Sequence, residues 1–255
     1  MSIHSTDLLE CIDLRNQAGE EEGRFPRRWY KPVTAVIHSQ NGDKRVMKKY
    51  PNGVFPLSLY FRMLANHEYR MLIRADGAAF TPSLASRCSD DPWTITYRYI
   101  DGIGLKDAFR KSAIPEDFFV KLYASVQQLH RYGVVHLDLG NSGNVLCSTS
   151  GDPKIIDFGS ALPLYLLPRS IGSWARKRDL LGVLKLWYRF DRRSMPEATL
   201  RFFRTNYKKN IYTPKRFLKA LKGCLANPSQ ARQGSSPVAA IVGLFISLLL
   251  LTFII

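Results

Sequence analysis

Residues 134–161 constrain the fold of this chain more than any other segment, because they combine two short apolar runs with closely spaced polar residues. The segment reads VVHLDLGNSGNVLCSTSGDPKIIDFGSA. Its apolar runs at 144–147 and 154–157 flank the turn-forming residues 150–153. Apolar runs on either side of such a turn predict a β-hairpin. The hairpin would hold the polar residues before and after it at fixed positions.

The same segment resembles the catalytic segment of the protein-kinase-like superfamily. In that family, a loop aspartate faces the acceptor hydroxyl, and a downstream asparagine binds a metal ion. The aspartate of an Asp-Phe-Gly motif binds the metal ion that bridges the phosphates. The resemblance implies that Asp138 is the catalytic residue and that Asn144 and Asp157 are metal ligands. It also implies ATP and Mg²⁺ as cofactors.

Phosphoryl transfer needs residues of these types. The reaction brings an oxygen nucleophile to a highly charged phosphate, so a divalent metal ion must neutralise charge, and hard oxygen ligands hold that ion. A carboxylate must orient the acceptor hydroxyl or accept its proton. The short apolar runs before each motif are expected to fix the loops that carry these groups.

The spacing of the motif departs from the family at one point. Asp138 and Asn144 are six positions apart, whereas the family spacing is five. Asn144 and Asp157 are 13 positions apart, as the family would have them. We therefore place the extra residue within 139–143 and assign Asn144 as the metal ligand, with Asn141 as the alternative.

A predicted strand at 45–50 resembles the strand whose lysine holds the α- and β-phosphates of ATP. Alternation along a strand places Lys48 and Lys49 on opposite faces, so only one of them can reach the nucleotide. Lys48 is chosen because lipid-linked sugar kinases tend to show a Lys-x-aromatic pattern, and Lys49 is the alternative. The resemblance implies Glu68 as the partner that preorganises this lysine.

Three further features follow the same resemblance. Residues 97–104 (YRYIDGIG) resemble the hinge whose backbone binds the adenine edge. His136 is assigned a supporting role before the catalytic aspartate. Asp179 resembles the buried aspartate that caps the backbone of the catalytic loop, and an ordinary acid at a helix N-terminus is the alternative interpretation.

The pattern of apolar residues predicts a β-rich first half with one helix and a mostly helical second half. Strands are predicted at 33–38, 45–50 and 93–100, and helices at 57–74, 115–131 and 178–190. The fold class is α+β, a two-lobed protein-kinase-like fold with a C-terminal transmembrane helix. The predicted parts are a flexible lead-in at 1–24, a kinase-like domain at 25–225 with lobes at about 25–100 and 101–225, a linker at 226–237 and an anchor at 238–255.

Two features of regulated protein kinases are missing from the sequence. No Gly-x-Gly-x-x-Gly motif precedes Lys48, and no Ala-Pro-Glu motif follows Asp157. Only 21 residues separate Asp157 from Asp179, too few for a long activation loop. The chain is most similar to the bacterial lipopolysaccharide core sugar kinases, the Kdo and heptose kinase family. This resemblance implies phosphorylation of a sugar of the lipid A–core glycolipid.

The segment Val238–Ile255 is expected to be a membrane anchor, because its 18 residues carry no charge. As a helix it would be roughly 27 Å long, close to the hydrocarbon thickness of about 30 Å. Basic residues precede it, and positive charge stays on the cytoplasmic side. We expect a single-pass protein of the inner membrane, with its catalytic domain in the cytoplasm.

The net charge of +16 is concentrated in one part of the chain. Residues 166–232 hold 17 Lys and Arg against three acidic residues, whereas residues 1–165 hold 20 against 18. Such a segment favours an anionic partner. Together with the anchor, this basic segment predicts that the protein binds a membrane and an anionic glycolipid rather than nucleic acid. A protein substrate is the alternative, and a solvated basic face is the plainest interpretation.

Two other functions fit part of the sequence. A membrane-anchored protein Ser/Thr kinase would share the catalytic segment but would act on a protein. A pseudokinase scaffold would explain the missing glycine motif and the extra loop residue. It would not explain why five residues occur together in the expected order: Lys48, Glu68, Asp138, Asn144 and Asp157.

Overall fold

A computed structural model describes residues 31–38, 43–88 and 90–207. The predicted lead-in at 1–24, the linker at 226–237 and the anchor at 238–255 lie outside the described residues. Within the described ranges, no helix is both long and apolar enough to cross a membrane.

Four antiparallel strands form the first sheet, in the order β1-β2-β4-β3. The strands are β1 (Val33–His38), β2 (Lys44–Lys49), β3 (Ser86–Arg87) and β4 (Thr94–Arg98). Lys48 lies opposite Thr34 of β1 and Ile95 of β4. The three longer strands confirm the sequence prediction to within two residues at each end, whereas the two-residue β3 was not predicted.

Helix α1 (Leu57–Ala75) confirms the predicted helix at 57–74 and carries its buried residues on one stripe. The stripe follows the 3.6-residue period and consists of buried residues at positions 61, 65, 68, 72 and 75. Glu68 lies in the middle of this stripe and has no exposed surface. A carboxylate in that position needs a charged or hydrogen-bonding partner, because burial without one is costly.

The second half is mainly helical and contains α2 (Leu105–Arg110), α3 (Phe118–Arg131), α4 (Arg169–Phe190) and α5 (Glu197–Asn206). Helices α3 and α4 pack together, with the ring of Phe119 stacked on that of Trp187 at a centroid distance of 5.9 Å. The two short helices, α2 and α5, were not predicted. The sequence signal for α5 is Pro196 followed by Glu197, with Leu200 and Phe203 as its buried residues.

The predicted start of two helices was wrong. Helix α3 begins at Phe118, three residues after the predicted 115, because Pro115 instead accepts a hydrogen bond from the Phe118 N–H. Helix α4 begins at Arg169, directly after Pro168 and nine residues before the predicted 178. Proline is a common residue at the start of a helix, so Pro168 is the sequence signal for this start.

Two small sheets lie in the second half. The first has three strands, β5 (Gly102–Gly104), β7 (Val145–Ser148) and β8 (Pro153–Ile155). The second has two, β6 (Val134–Val135) and β9 (Leu162–Pro163). The β7–β8 hairpin confirms the prediction from residues 134–161. Residues 102–104, at the end of the predicted hinge, form β5, a strand that was not predicted. A Cβ atom on Gly102 would lie 2.7 Å from the carbonyl oxygen of Cys147, so this pairing requires glycine.

Helix α4 packs directly against the loop at 136–144, which we call the Asp138 loop. A Cβ atom on Gly182 would lie 2.8 Å from the backbone nitrogen of Gly140 and 3.1 Å from the carbonyl carbon of Leu139. From the next turn of α4, the Lys185 ammonium donates to the Gly140 carbonyl at 2.8 Å. The helix therefore approaches the loop as closely as a glycine allows.

Substituting Gly182 by alanine is expected to lower the free energy of unfolding by about 1–3 kcal/mol, because the new methyl group meets backbone atoms that cannot rotate away. Urea denaturation would measure the change. Gly172→Ala is the matched control in the same helix, since its Cβ would lie at an ordinary 3.5 Å from the Leu164 side chain. Equal stability of the two variants would contradict the close contact at Gly182.

Candidate active site

Lys48 and Glu68 form a buried ion pair between β2 and α1. The Lys48 ammonium lies 2.9 Å from Oε1 and 2.8 Å from Oε2 of Glu68. Burial tends to lower the pKa of Lys48, but the charges of Glu68 and Asp157 outweigh it and raise this pKa above the ordinary value. Lys48 therefore stays charged. The alternative, Lys49, lies on the other face of β2, half exposed and paired with Asp91.

Asp157 reaches the same lysine from the second half of the chain. Its Oδ1 lies 2.8 Å from the Lys48 ammonium, and about half of its side chain is exposed (51%). Its backbone is left-handed, with φ of 65°, which turns the chain sharply after β8. Burial tends to raise the pKa of Asp157, but the charge and hydrogen bond of Lys48 outweigh it and lower this pKa below its ordinary value. Asp157 is thus an ionised, accessible carboxylate.

Asp138 and Asn144 meet within the Asp138 loop. The Asn144 side-chain amide donates to Oδ2 of Asp138 at 2.8 Å and to its carbonyl oxygen at 3.1 Å. Asn144 is buried, whereas Asp138 is partly exposed. The amide therefore fixes the rotamer of Asp138 and leaves this carboxylate partly accessible.

The extra residue of the loop is absorbed by a short 3₁₀ turn at Ser142–Asn144. Asn141 caps the turn, since its Oδ1 accepts the Gly143 N–H at 3.1 Å. The Asn141 amide also lies 3.4 Å from both Asp138 Oδ2 and Asn144 Oδ1. Both candidate ligands, Asn144 and Asn141, therefore lie beside Asp138.

Asp179 holds the start of the loop from α4. Its two oxygens accept the backbone N–H groups of His136 and Leu137, each at 2.7 Å. His130 of α3 lies 3.0 Å from the same carboxylate. Asp179 is buried in the middle of α4, so the interpretation of an acid at a helix N-terminus was wrong. The contacts stabilise Leu137 in a left-handed conformation, with φ of 65°.

His136 joins the Asp138 loop to the Asp-Phe-Gly turn. Its Nε2 lies 3.1 Å from the carbonyl oxygen of Ile156, and its ring packs edge-on against Phe158 at 5.1 Å. The Ile156 N–H in turn donates to the carbonyl of Asn144 at 3.0 Å. These bonds set the distance between the segment that carries Asp157 and the loop that carries Asp138.

The predicted hinge at 97–104 has part of its backbone already bonded. The N–H of Arg98 donates to Ser83, and that of Tyr99 donates to Lys44. Residues 102–104 pair with β7. An adenine edge that bound this segment could therefore not use the N–H groups of Arg98 or Tyr99 as donors.

Sequence reasoning missed three side chains that contact the site. His130 lies against Asp179, His67 lies 2.7 Å from the Ala161 carbonyl, and the Tyr50 hydroxyl bonds to Glu68. For the two histidines, the local sequence carries no signal, since each contact joins residues at least 49 positions apart. Tyr50 is the aromatic residue of the Lys-x-aromatic pattern, and that pattern does not indicate a contact with Glu68.

The oxygen donors at this site suit a hard divalent cation. Asp157 is ionised and half exposed, and a second carboxylate and two amide side chains lie in the adjoining loop. Mg²⁺ prefers one or two carboxylates together with substrate phosphates. The residues present therefore fit the metal that the sequence resemblance implies.

No protein-family model matches the chain, and no curated protein matches its sequence. Among solved structures, it is similar to the Rio2 kinase of Chaetomium thermophilum, determined as an ADP/Mg²⁺-phosphoaspartate complex. The two share 17% sequence identity with a TM-score of 0.51, and the match covers 82% of this chain and 68% of that one. The similarity shows a mixed α/β, kinase-like fold.

Proposed function

We propose that this chain is an ATP- and Mg²⁺-dependent phosphotransferase. The observation that carries the proposal is the position of Lys48, which bonds to both Glu68 and Asp157 from two separate parts of the fold. A structural ion pair would need only one acid. A lysine shared between a buried glutamate and an accessible aspartate is suited to a phosphate that arrives between them.

Each residue has a distinct part in the proposed reaction. Lys48, oriented by Glu68, holds the α- and β-phosphates. Asp157 and Asn144 hold Mg²⁺, which when bound neutralises the charge that develops on the phosphates. Asp138 orients the acceptor hydroxyl and accepts its proton, while the Asn144 amide keeps that carboxylate in place.

We further propose that the acceptor is a sugar of the lipid A–core glycolipid at the inner membrane. Support comes from an exposed basic surface on α4 and α5, formed by Arg169, Arg176, Lys177, Arg201 and Arg204. Lys177 joins the two helices through the Asn206 side chain at 2.7 Å and the Phe202 ring. Each basic residue near an anionic lipid surface contributes about 1 kcal/mol.

A protein acceptor is the second candidate. The observation that favours it is the similarity in fold to Rio2 kinase. The basic surface would then contact an acidic protein segment rather than lipid phosphates. The two candidates share the phosphotransferase site and differ only in what the basic surface recognises.

Transfer from labelled ATP would test the proposal. The full chain in detergent would be given Mg²⁺ with either lipid A–core glycolipid or casein. Label in the glycolipid would support a sugar kinase of lipopolysaccharide biosynthesis, and label only in casein would support a protein kinase. A protein that neither binds Mg·ATP nor transfers phosphate would refute the enzyme and leave the pseudokinase scaffold.

Deleting residues 238–255 is expected to move most of the protein from the membrane pellet to the supernatant, because the deletion removes the only 18-residue uncharged run. Sedimentation after lysis, with immunoblotting, would measure the change. If the truncated chain stays in the pellet but a wash at 1 M salt releases it, the basic surface rather than the apolar segment carries the attachment, since salt screens such contacts.

A further inference from the structure

We infer that Tyr50 is a positioning residue of the nucleotide site, holding Glu68 so that Glu68 holds Lys48. The inference rests on the proposed phosphotransferase function and adds a residue to which that function assigns no role. Tyr50 would not touch the nucleotide. It would act through the ion pair that orients the lysine.

The position of Tyr50 follows from the strand that carries the lysine. Tyr50 directly follows β2 and lies two residues after Lys48, so alternation places both side chains on the same face. Its backbone N–H donates to the carbonyl of Trp93 at 2.9 Å, which prolongs the pairing beyond the end of β2. The side chain is buried, with its ring 5.8 Å from the Lys48 ammonium.

The hydroxyl of Tyr50 donates a hydrogen bond to Oε2 of Glu68. Lys48 contacts this same oxygen at 2.8 Å and the other oxygen at 2.9 Å. Burial and the charge of Glu68 both raise the pKa of Tyr50 above its ordinary value, so the hydroxyl keeps its proton and remains a donor. Two groups therefore hold the Glu68 carboxylate. One is the Lys48 ammonium from β2, and the other is the Tyr50 hydroxyl from the residue that follows β2.

Gly159 closes the same cluster from the Asp-Phe-Gly turn. A Cβ atom there would lie 3.4 Å from Oδ1 of Asp157, 3.6 Å from Oε2 of Glu68 and 3.9 Å from the Tyr50 hydroxyl. These three oxygens therefore all lie within 4 Å of one point beside Gly159. Tyr50 bonds to Glu68 and lies near the turn that carries Asp157. A group so placed preorganises the lysine before the nucleotide binds.

The test is Tyr50→Phe in the full chain, which removes one oxygen and keeps the ring. Loss of a hydrogen bond to a charged group is expected to raise the dissociation constant of Mg·ATP, and its KM, about tenfold. The turnover number should change less than about twofold, because Lys48 binds the phosphates equally in the ground state and the transition state. Tyr188→Phe is the matched control, since that ring packs against Phe203 on the remote α4–α5 contact.

A double-mutant cycle with Glu68→Gln separates positioning from general packing. If Tyr50 acts through Glu68, adding Tyr50→Phe to Glu68→Gln should change the dissociation constant by less than about twofold. Additive effects, or wild-type binding by Tyr50→Phe, would overturn the inference. So would a lower unfolding temperature with unchanged nucleotide affinity. Failure of the wild-type chain to bind Mg·ATP would instead refute the proposed function itself.

Discussion

Replacing Asp138 by alanine is expected to lower kcat by about 10²- to 10⁴-fold, the usual contribution of a positioned general base. Affinity for Mg·ATP should change less than about twofold, because Asp138 contacts the acceptor and not the lysine pair in the proposed reaction. The carboxylate is partly exposed, and its described side-chain partners are the amides of Asn144 and Asn141. Phosphate transfer and nucleotide binding, measured on the same preparation, would separate the two effects.

Asp152→Ala is the matched control for this variant. Asp152 is a surface aspartate in the β7–β8 turn that pairs with Lys121 at 3.0 Å. Its removal should leave turnover within about twofold of the wild type, since exposed ion pairs contribute little to stability. Full turnover by Asp138→Ala would show that another group accepts the proton. Equal loss in both variants would indicate that the loss in Asp138→Ala is not specific to the chemistry.

Local patterns predicted the elements around the site well. Apolar and β-branched runs marked β1, β2 and β4, although residues 94–97 of β4 are buried on both faces. The helical period marked α1 and α3, because their buried residues lie on one face. The start of α4 was missed because its first two turns carry Ser170, Gly172 and Ser173, which weaken the helical pattern. At the contact between α4 and the Asp138 loop, Gly182 lies against Leu139 and Gly140, which are some 40 positions earlier in the chain. No local pattern around Gly182 indicates this contact.

The order of the charged residues suggested a candidate site, but the contacts among these residues could be read only from the fold. Alternation showed that Lys48 and Lys49 face opposite sides, and only the position of α1 decides which side meets Glu68. The two interpretations of Asp179 could not be separated while the start of α4 was unknown. The Tyr50–Glu68 bond joins a strand end to a helix interior, and no periodicity in either element indicates it.

Asp138 and Asn144 still contact each other although they are six positions apart instead of the family's five. The 3₁₀ turn at Ser142–Asn144 shortens the path, so that the Asn144 amide still reaches the Asp138 carboxylate. Asn141 occupies the added length and bonds to both residues. The sequence could place the insertion within 139–143 but could not show that it forms a cap rather than a bulge.

Replacing Asp157 by asparagine is expected to weaken Mg²⁺-dependent binding of ATP by about 10²-fold or more, because an amide cannot supply the negative charge that holds the metal ion. Lys48 would keep its bonds to Glu68, so metal-free nucleotide binding should fall much less. The loss of stability should be small, since about half of the Asp157 side chain is exposed (51%) and solvent screens its pair with Lys48. Titration with a fluorescent ATP analogue, in Mg²⁺ and in EDTA, would measure both affinities.

The lowered pKa of Asp157 also predicts how nucleotide binding depends on pH. The pKa of Asp157 lies below that of an ordinary aspartate, so the carboxylate stays ionised as the pH falls from 8 to 5. Wild-type binding should therefore show no loss from Asp157 over that range. The asparagine variant should be weak at every pH in it. Asp138→Ala should retain Mg²⁺-dependent binding throughout, which sets the two acids apart. If Asp157→Asn binds Mg·ATP as the wild type does, Asp157 is not the metal ligand, and its pairing with Lys48 is structural.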